Sequence, residues 1–575
     1  MGARRTGSRR RAFTGTLVTG CMLTTRRDFL TYSAALGAGA LAPSITLGRA
    51  DARVHALRFP RDPFTLGVAA GDPQSDGFVI WTRLAFDPLA ADGLGGMPDV
   101  RIPLSWQIAT DERFRRVVRR GVVTTASQLG YAVHVEVEGL QPGREHFYRF
   151  SAGPYVSRVG RAVTAPRRDA MPSELAMSFV SCAQFEHGLF TAYRRLAEDR
   201  PDLVLHLGDY QYEYTAGAYV APGGNVRDHD GPETTTLESY RQRHAQYKTD
   251  LDLQEAHAAT AWAVVFDDHE IDNNWAADIP EKPAETPGFL DRRKAAFRAY
   301  YENMPLRRTS VPRGADMQLY RRLHWGQLAS FHLLDTRQFR SDQGCGDGYR
   351  ADCPAAVDPS RSITGGAQEE WLIDGFRRSR ARWDVIGQQV FFAQRDSDKG
   401  PLKKVSMDAW DGYAASRDRI TTGWVDAGVR NPVVLTGDVH AAWASELKLD
   451  YDDPTTASVG TELVCSSITS GGNGADSAAT AHPWLAFNPH LKFQNNLRGY
   501  VNTTITPESM SADFRSVAQV RTADAPAFTR ATFLIEDRVP TLNQTFDRPP
   551  VDNGLRSQSP GDVSRETIER ETARP

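Results

Sequence analysis

Four short apolar runs in this chain are each followed at once by a cluster of acids, imidazoles, thiols or amides, and that arrangement constrains the fold more than any bulk property. The runs at 175–180, 203–207, 261–266 and 433–435 are dominated by aliphatic residues and are too short for buried helices, so they read as core strands. Further runs at 328–334 and 385–391, with amphipathic helices at 188–198 and 367–382, alternate with them as an α/β layered domain requires. Open α/β sheets gather their ligands at the carboxyl ends of strands. Those ends here carry Ser181-Cys182-Ala-Gln184, Gly208-Asp209-Tyr210-Gln-Tyr212, Asp267-Asp268-His269-Glu270-Ile-Asp272-Asn273-Asn274 and Thr436-Gly437-Asp438-Val-His440.

Groups of this kind, converging in a water-poor cleft, repel one another unless cations hold them. Singly, each cluster has a plain alternative. A buried thiol packs in cores, Gly-Asp caps helices or turns, and Asp-Asp-His-Glu suits a helix start. Their succession after four apolar strands points to a metal centre.

Residues 60–165 have a different rhythm. Alternating runs such as 77–81, 103–108 and 131–137, broken by Asp, Gly and Pro, predict an all-β, fibronectin type III-like sandwich. A Leu140-Gln-Pro-Gly143 turn followed by Tyr148 has the pattern of a tyrosine corner. A linker at 165–172 leads into a second domain over 172–547, and a tail at 548–575, rich in Pro, Ser, Arg and acids, is expected to be disordered. The formal net charge of −3 over 575 residues gives neither nucleic acid nor an anionic membrane a reason to bind.

Arg26-Arg27 precede an uncharged, small-residue stretch at 31–47, and Gly48-Arg49-Ala50 offers a cleavage site. Residues 1–50 are therefore expected to be a twin-arginine signal peptide, which makes the twin-arginine translocase a partner and the product secreted, extracellular or periplasmic. The stretch lacks the roughly 20 strongly apolar residues of a membrane span. Cys21 would leave with the signal. Cys345 and Cys353, in a Gly/Asp-rich loop of an exported chain, are expected to form a disulfide, and Cys465, in an apolar run, reads as a buried thiol.

Taken in order, Phe179-Val-Ser-Cys182, Leu207-Gly-Asp209-Tyr-x-Tyr212, Phe266-Asp-Asp268-His-Glu-x-x-Asn273-Asn274-Trp275 and Thr436-Gly-Asp438-Val-His440 resemble the motifs of the PhoD-like alkaline phosphatases and phosphodiesterases, a branch of the calcineurin-like metallophosphoesterases. The likeness runs from about 64 to 547. It implies a layered α/β/β/α sandwich behind the β domain, with 172–547 the catalytic domain, and hydrolysis of phosphate monoesters or diesters by water activated between two metals. It implies Fe3+ and Ca2+ as well. Cys182 thiolate and Tyr212 phenolate with Asp209 suit ferric iron, while Asp268, Asn273 or Asn274, Asp438 and His440 add mainly oxygen donors, which suit calcium. Asp209 would bridge, and His269 would act as acid or hydrogen-bond donor. Arg337, after the run 328–334, and Arg417, in Trp410-Asp-Gly-Tyr413-Ala-Ala-Ser-Arg417, could each fork onto phosphate, the alternative being a surface arginine paired with Asp335 or Asp418. Some members of the family resemble phospholipase D, so a phospholipid stands as the alternative substrate to a small phosphate ester. A cell-wall or carbohydrate binding protein with a vestigial metal site is the alternative outside enzymes. A monomer is expected.

Overall fold

Runs that are buried along their whole length have no face to give to water, so they collect in the interior of sheets covered on both sides. The computed structural model describes residues 58–476 and 482–551, and the twin-arginine segment, Cys21 and the tail beyond residue 551 lie outside these. Within them the buried runs build two large sheets. One has ten strands in the order Asn543–Asp547, Ala527–Glu536, Ser509–Val517, Gly499–Ile505, Leu175–Val180, Leu203–Leu207, Ala261–Val265, Val68–Gln74, Gly77–Arg83 and Ala132–Val137. The other has seven, in the order Arg321–Trp325, Ala329–Leu333, Trp383–Gly387, Pro432–Thr436, Ser458–Val464, Ala442–Lys448 and Leu491–Asn495.

The centre of each sheet is parallel. Leu175–Val180, Leu203–Leu207 and Ala261–Val265 run side by side in one, and Ala329–Leu333, Trp383–Gly387 and Pro432–Thr436 in the other, so each set delivers its polar ends to one edge. Phe179 and Leu205 from the first sheet share a core with Leu333 and Leu435 from the second. On the far face of the second sheet, Ile386 and Val434 pack with Leu372 and Phe376 of the helix Gly366–Arg378 and with Ile420 and Trp424 of the helix Ala414–Asp426. Tyr193 and Leu196 of the helix Thr191–Asp199 join the first core, which completes a helix, sheet, sheet, helix layering. Leu237–Lys248, Leu251–Ala259 and Thr286–Asn303, helices absent from the sequence reading as Ala414–Asp426 is, also belong to this domain. The first two carry visible start signals, a Thr236/Ser239 capping box and Asp250, whose carboxylate accepts from the amides of Asp252 and Leu253.

The β region before residue 165 differs from expectation in one respect. A sandwich is present: Val68, Phe78, Ile80 and Val133 pack against Leu104, Ile108, Tyr148 and Phe150 of a five-stranded sheet. It does not stand alone, because Ala70 and Gly71 pair in parallel with Ala261 and Trp262, making three of its strands an extension of the ten-stranded sheet. Alternation reports the two faces of a strand and says nothing of its neighbours. The tyrosine corner is also corrected. Tyr148 is fully buried with its hydroxyl unpaired, so it fills the core and ties no corner. The run 385–391 is a strand only over Trp383–Gly387; Gln388 then turns its amide onto the Val390 carbonyl and the Thr436 hydroxyl. Arg548 and Val551, at the start of the expected tail, donate to the Arg530 carbonyl and the Asp476 carboxylate. Among the described residues no helix is long and apolar enough to cross a membrane.

Candidate metal centre

Two glycines let the strand ends converge. A Cβ on Gly208, where φ is +105°, would lie 2.4 Å from the Asp267 Cβ, and one on Gly437 would lie 2.7 Å from the Ser181 Cβ. Gly208 thus brings two ends of one sheet together and Gly437 brings the second sheet against the first. The residues beside them bear the cost of the convergence. Cys182, Asp209, Asn274, Asp438 and His440 all have left-handed φ, from 48° to 64°, a conformation that non-glycine residues hold only where surrounding structure imposes it.

The donors fall into three linked groups, each with its ligand atoms within 4.8 Å of one another. Cys182, Asp209 and His440 form one, Asp209, Asp268 and His269 the next, and Asp267, Asp268 and Asp438 the third. Asp209 and Asp268 each belong to two groups, which is the arrangement of bridging ligands. Tyr212 closes on the first: its hydroxyl donates to Asp209 Oδ2 at 2.9 Å, meets His440 Nε2 at 3.1 Å and accepts from Ser470 Oγ at 2.8 Å.

Electrostatics favours a cation here. Burial, then the charges of Asp268, Asp267 and Glu270, push the Asp209 carboxyl well up despite His269 nearby. Burial likewise raises Asp267, with Asp268 and Asp438 adding to it against Arg337. Burial and Asp209 push both the Cys182 thiol and the Tyr212 phenol well up. Asp209 Oδ1 and Asp268 Oδ1 are buried without a hydrogen bond, a costly state that a cation would relieve. The set of thiol, phenol, imidazole and shared carboxylates therefore fits metal ions.

A family model described as PhoD-like phosphatase matches residues 176–514, and one for the PhoD-like phosphatase N-terminal domain matches residues 49–166. The chain belongs to the PhoD-like phosphatase family. Alkaline phosphatase D of Bacillus subtilis (strain 168) is 46% identical over 512 residues, covering 89% of this chain and 87% of the relative. A solved structure of PhoD is 44% identical, with a TM-score of 0.84 over 90% of this chain and 100% of that one. This PhoD-like chain is accordingly a metal-dependent hydrolase of phosphoric esters, and the phospholipase D and wall-binding alternatives are not favoured by these comparisons.

Around the centre of this PhoD-like phosphatase, Glu213 holds His269. Its Oε2 lies 2.9 Å from His269 Nδ1, and the imidazole stacks on Tyr212 with ring centroids 4.1 Å apart. Burial alone would lower the His269 pKa, but Asp268, Glu213 and Asp209 outweigh it and hold the value well above the usual histidine range. Glu270 ties the strand ends together by accepting from the amides of Asp209, Tyr210 and Asp267. Asn273 and Asn274 part company: Asn273 donates from its amide to Glu281 and from its backbone to Glu213, whereas the backbone of Asn274 donates to Asp268 Oδ2 at 2.8 Å. The structure thus brings Asn274, not Asn273, to the shared carboxylate.

The two arginines expected on phosphate are engaged elsewhere. Arg337 is fully buried; its Nε donates to Asp267 at 2.5 Å and its two terminal nitrogens to Asp408 at 2.8 and 2.9 Å. It braces the centre from behind. Arg417 is buried on the helix Ala414–Asp426, bonded to Asp411 and the Phe392 carbonyl, and touches no residue of the centre. Both arginines, one after a strand and one on a helix, find carboxylates of their own chain in a crowded acidic fold. Cys345 and Cys353 are disulfide-bonded, and Cys465 is a buried thiol 3.4 Å from Ser181 Oγ. Sequence reasoning missed Glu213, Asp267 and Glu270 as working parts. Each stands beside a residue it did select, Glu213 just past Tyr212 and the other two within the cluster at 267–274.

Proposed function

We propose that this PhoD-like phosphatase is exported through the twin-arginine route and hydrolyses phosphate mono- and diesters with Fe3+ and Ca2+ in the centre built around Asp209 and Asp268. The observation that carries this reading is the sharing of those two carboxylates among three donor groups. Cys182, Tyr212, Asp209 and His440 would hold iron, since thiolate and phenolate are strong donors to it, and Asp267, Asp268, Asn274 and Asp438 offer the oxygen-rich surroundings that suit calcium. Bound there, the ions would supply Lewis acidity to the phosphoryl oxygens and a lowered pKa to a water molecule.

The chain's own groups do the rest. Glu213 fixes His269 through Nδ1 and leaves Nε2, 4.0 Å from Asp268 Oδ2, as the proton donor toward the leaving-group oxygen. Glu270 and the two close-approach glycines keep Asp209 and Asp267 in register, so the donors need no rearrangement as charge develops. The strand ends lie away from bulk water, which strengthens each of these interactions.

Elemental analysis of the exported protein, paired with hydrolysis of a chromogenic phosphate monoester and diester, tests the reading. Iron and calcium together, with activity lost on stripping and regained on reloading, is the expected result. Full activity in a protein free of both metals would overturn it.

A further inference from the structure

Asn274 is held from a loop far along the chain. Its side-chain amide donates to Asp347 Oδ2 at 2.6 Å, and its carbonyl accepts from Gln343 Nε2 at 2.7 Å. On the other side its backbone N–H donates to the shared Asp268 carboxylate. Side chain, carbonyl and amide of one residue are all committed, two of the three to a single loop. Because Nδ2 is occupied by Asp347, the amide oxygen is the atom Asn274 can offer the centre.

The loop that supplies these contacts is closed by the Cys345–Cys353 bond, with Asp347 inside the ring and Gln343 just before it. Its conformation is not one a free chain favours. Cys345, Gly346, Gly348 and Asp352 all have left-handed φ, between 51° and 83°, and Cys345 and Asp352 have side chains that make this strained. One side of the ring is anchored, since Tyr349–Ala351 pairs with Lys404–Ser406 and the Met407 amide donates to the Gly348 carbonyl. On the other side Gln343 donates to Asp408 Oδ1 at 3.0 Å and the Cys345 carbonyl accepts from Arg350 at 3.1 Å, and the cross-link adds the covalent closure of the ring. Cys345 is exposed, so a dithiol in solution can reach the bond.

We infer that Asp347 and Gln343 are positioning residues for the metal centre, acting through Asn274, and that the Cys345–Cys353 bond makes this positioning conditional on oxidation. The inference rests on the reading of Asn274 as an oxygen donor to the calcium-type site. Outer partners of metal ligands typically govern affinity or activity by about 10–100-fold. Reduction by a dithiol moves two electrons and two protons onto the cystine sulfurs, giving two thiols and the cyclic disulfide of the reductant. The phosphatase would then be slack at Asn274 in a reducing compartment and firm in an oxidising one.

The test uses the full exported chain and calcium as probe, with affinity of the metal-stripped protein measured by calorimetry and kcat and KM measured on a phosphate ester. Asp347→Ala should weaken calcium binding about tenfold and lower kcat with little change in KM, while the melting temperature of the metal-free protein stays near wild type. Asp347→Asn should restore most of both, because its amide oxygen still accepts from Asn274. The double variant Cys345→Ser/Cys353→Ser, and wild type treated with dithiothreitol, should match Asp347→Ala, and adding Asp347→Ala to the double variant should cost nothing more. Wild-type calcium affinity in Asp347→Ala overturns the positioning role. Affinity lost in Asp347→Ala but kept in the double variant overturns the redox half, and a wild type that binds no calcium overturns the whole. A protein that binds calcium as described yet cleaves no phosphate ester would sink the proposed function and leave this inference standing.

Discussion

Two strands of the ten-stranded sheet are built from the same material and end in different ways. Gly77–Arg83 and Leu203–Leu207 are both buried along their whole length, in one sheet. The first ends in Arg83, whose guanidinium is satisfied by the carbonyls of Gly130, Arg241 and Gly93 and by Asn303. The second ends in Gly208 and Asp209, with left-handed backbone and a carboxylate oxygen left without a partner. Left-handed backbone and an unmet carboxylate oxygen coincide at the second strand's end, and elsewhere in the sheet they meet again at Asp72, whose other oxygen is held by Arg321. Stability and activity should respond in opposite ways to substitutions at the two ends.

The sharpest break in that comparison is at Asp209. Asp209→Asn keeps the shape and tolerates the left-handed φ, so the variant should fold, lose kcat on the order of 10³-fold, and, once stripped of metal, melt higher than the stripped wild type. Calorimetry beside an activity assay reads both. A stripped variant that melts lower would mean that the carboxylate is part of the scaffold.

Arg337 should behave as scaffold although it touches the centre. Arg337→Ala leaves Asp267 and Asp408 buried beside an empty space, and denaturant unfolding should show a loss of about 3–5 kcal/mol. The ratio of monoester to diester hydrolysis should not move. A changed ratio without loss of stability would return Arg337 to the substrate.

Effects away from the centre should be smaller. Asp537 accepts from Arg430, which more than offsets burial and, with Asn431 and Arg382, holds its carboxyl well below the usual carboxylate range. A depressed folded-state pKa contributes stability above the unfolded value that is lost as pH falls toward the folded one. Asp537→Asn should therefore flatten the stability profile below about pH 4, by less than about 1 kcal/mol at this partly exposed site. At the quiet end of the series, Tyr148→Phe removes a hydroxyl that bonds nothing, so urea midpoints should agree within about 0.5 kcal/mol. A loss of 1–3 kcal/mol, about that of a broken buried hydrogen bond, would restore the tyrosine corner.

Strand ends were the most legible part of this molecule. Leu175–Val180 and Leu203–Leu207 have the bounds read from sequence, because an aliphatic run broken by a polar motif marks both the strand and its end. Most of the polar residues that gather there follow such runs directly. What stayed hidden depends on contacts between distant segments. Asp347 reaching Asn274, Arg337 meeting Asp408 and Ala70 pairing with Ala261 join residues whose local sequence carries no sign of the partner. The choice between Asn273 and Asn274 was hidden for a different reason, since neighbours in a turn differ only in the direction the backbone gives them.

The order of strands in the large sheet also sets a timetable. Leu175–Val180 has Leu203–Leu207 on one side, but its other neighbour, Gly499–Ile505, emerges from the ribosome only near the end of synthesis, and the edge beyond it is finished by Asn543–Asp547. Until then the Cys182 strand has an open edge, and the first residues of the centre wait beside it. Pairings of such long sequence separation form slowly and leave sticky intermediates while they are incomplete. Completion of the large sheet must therefore wait for the last strands, so a truncated product would be a liability as well as an inactive fragment.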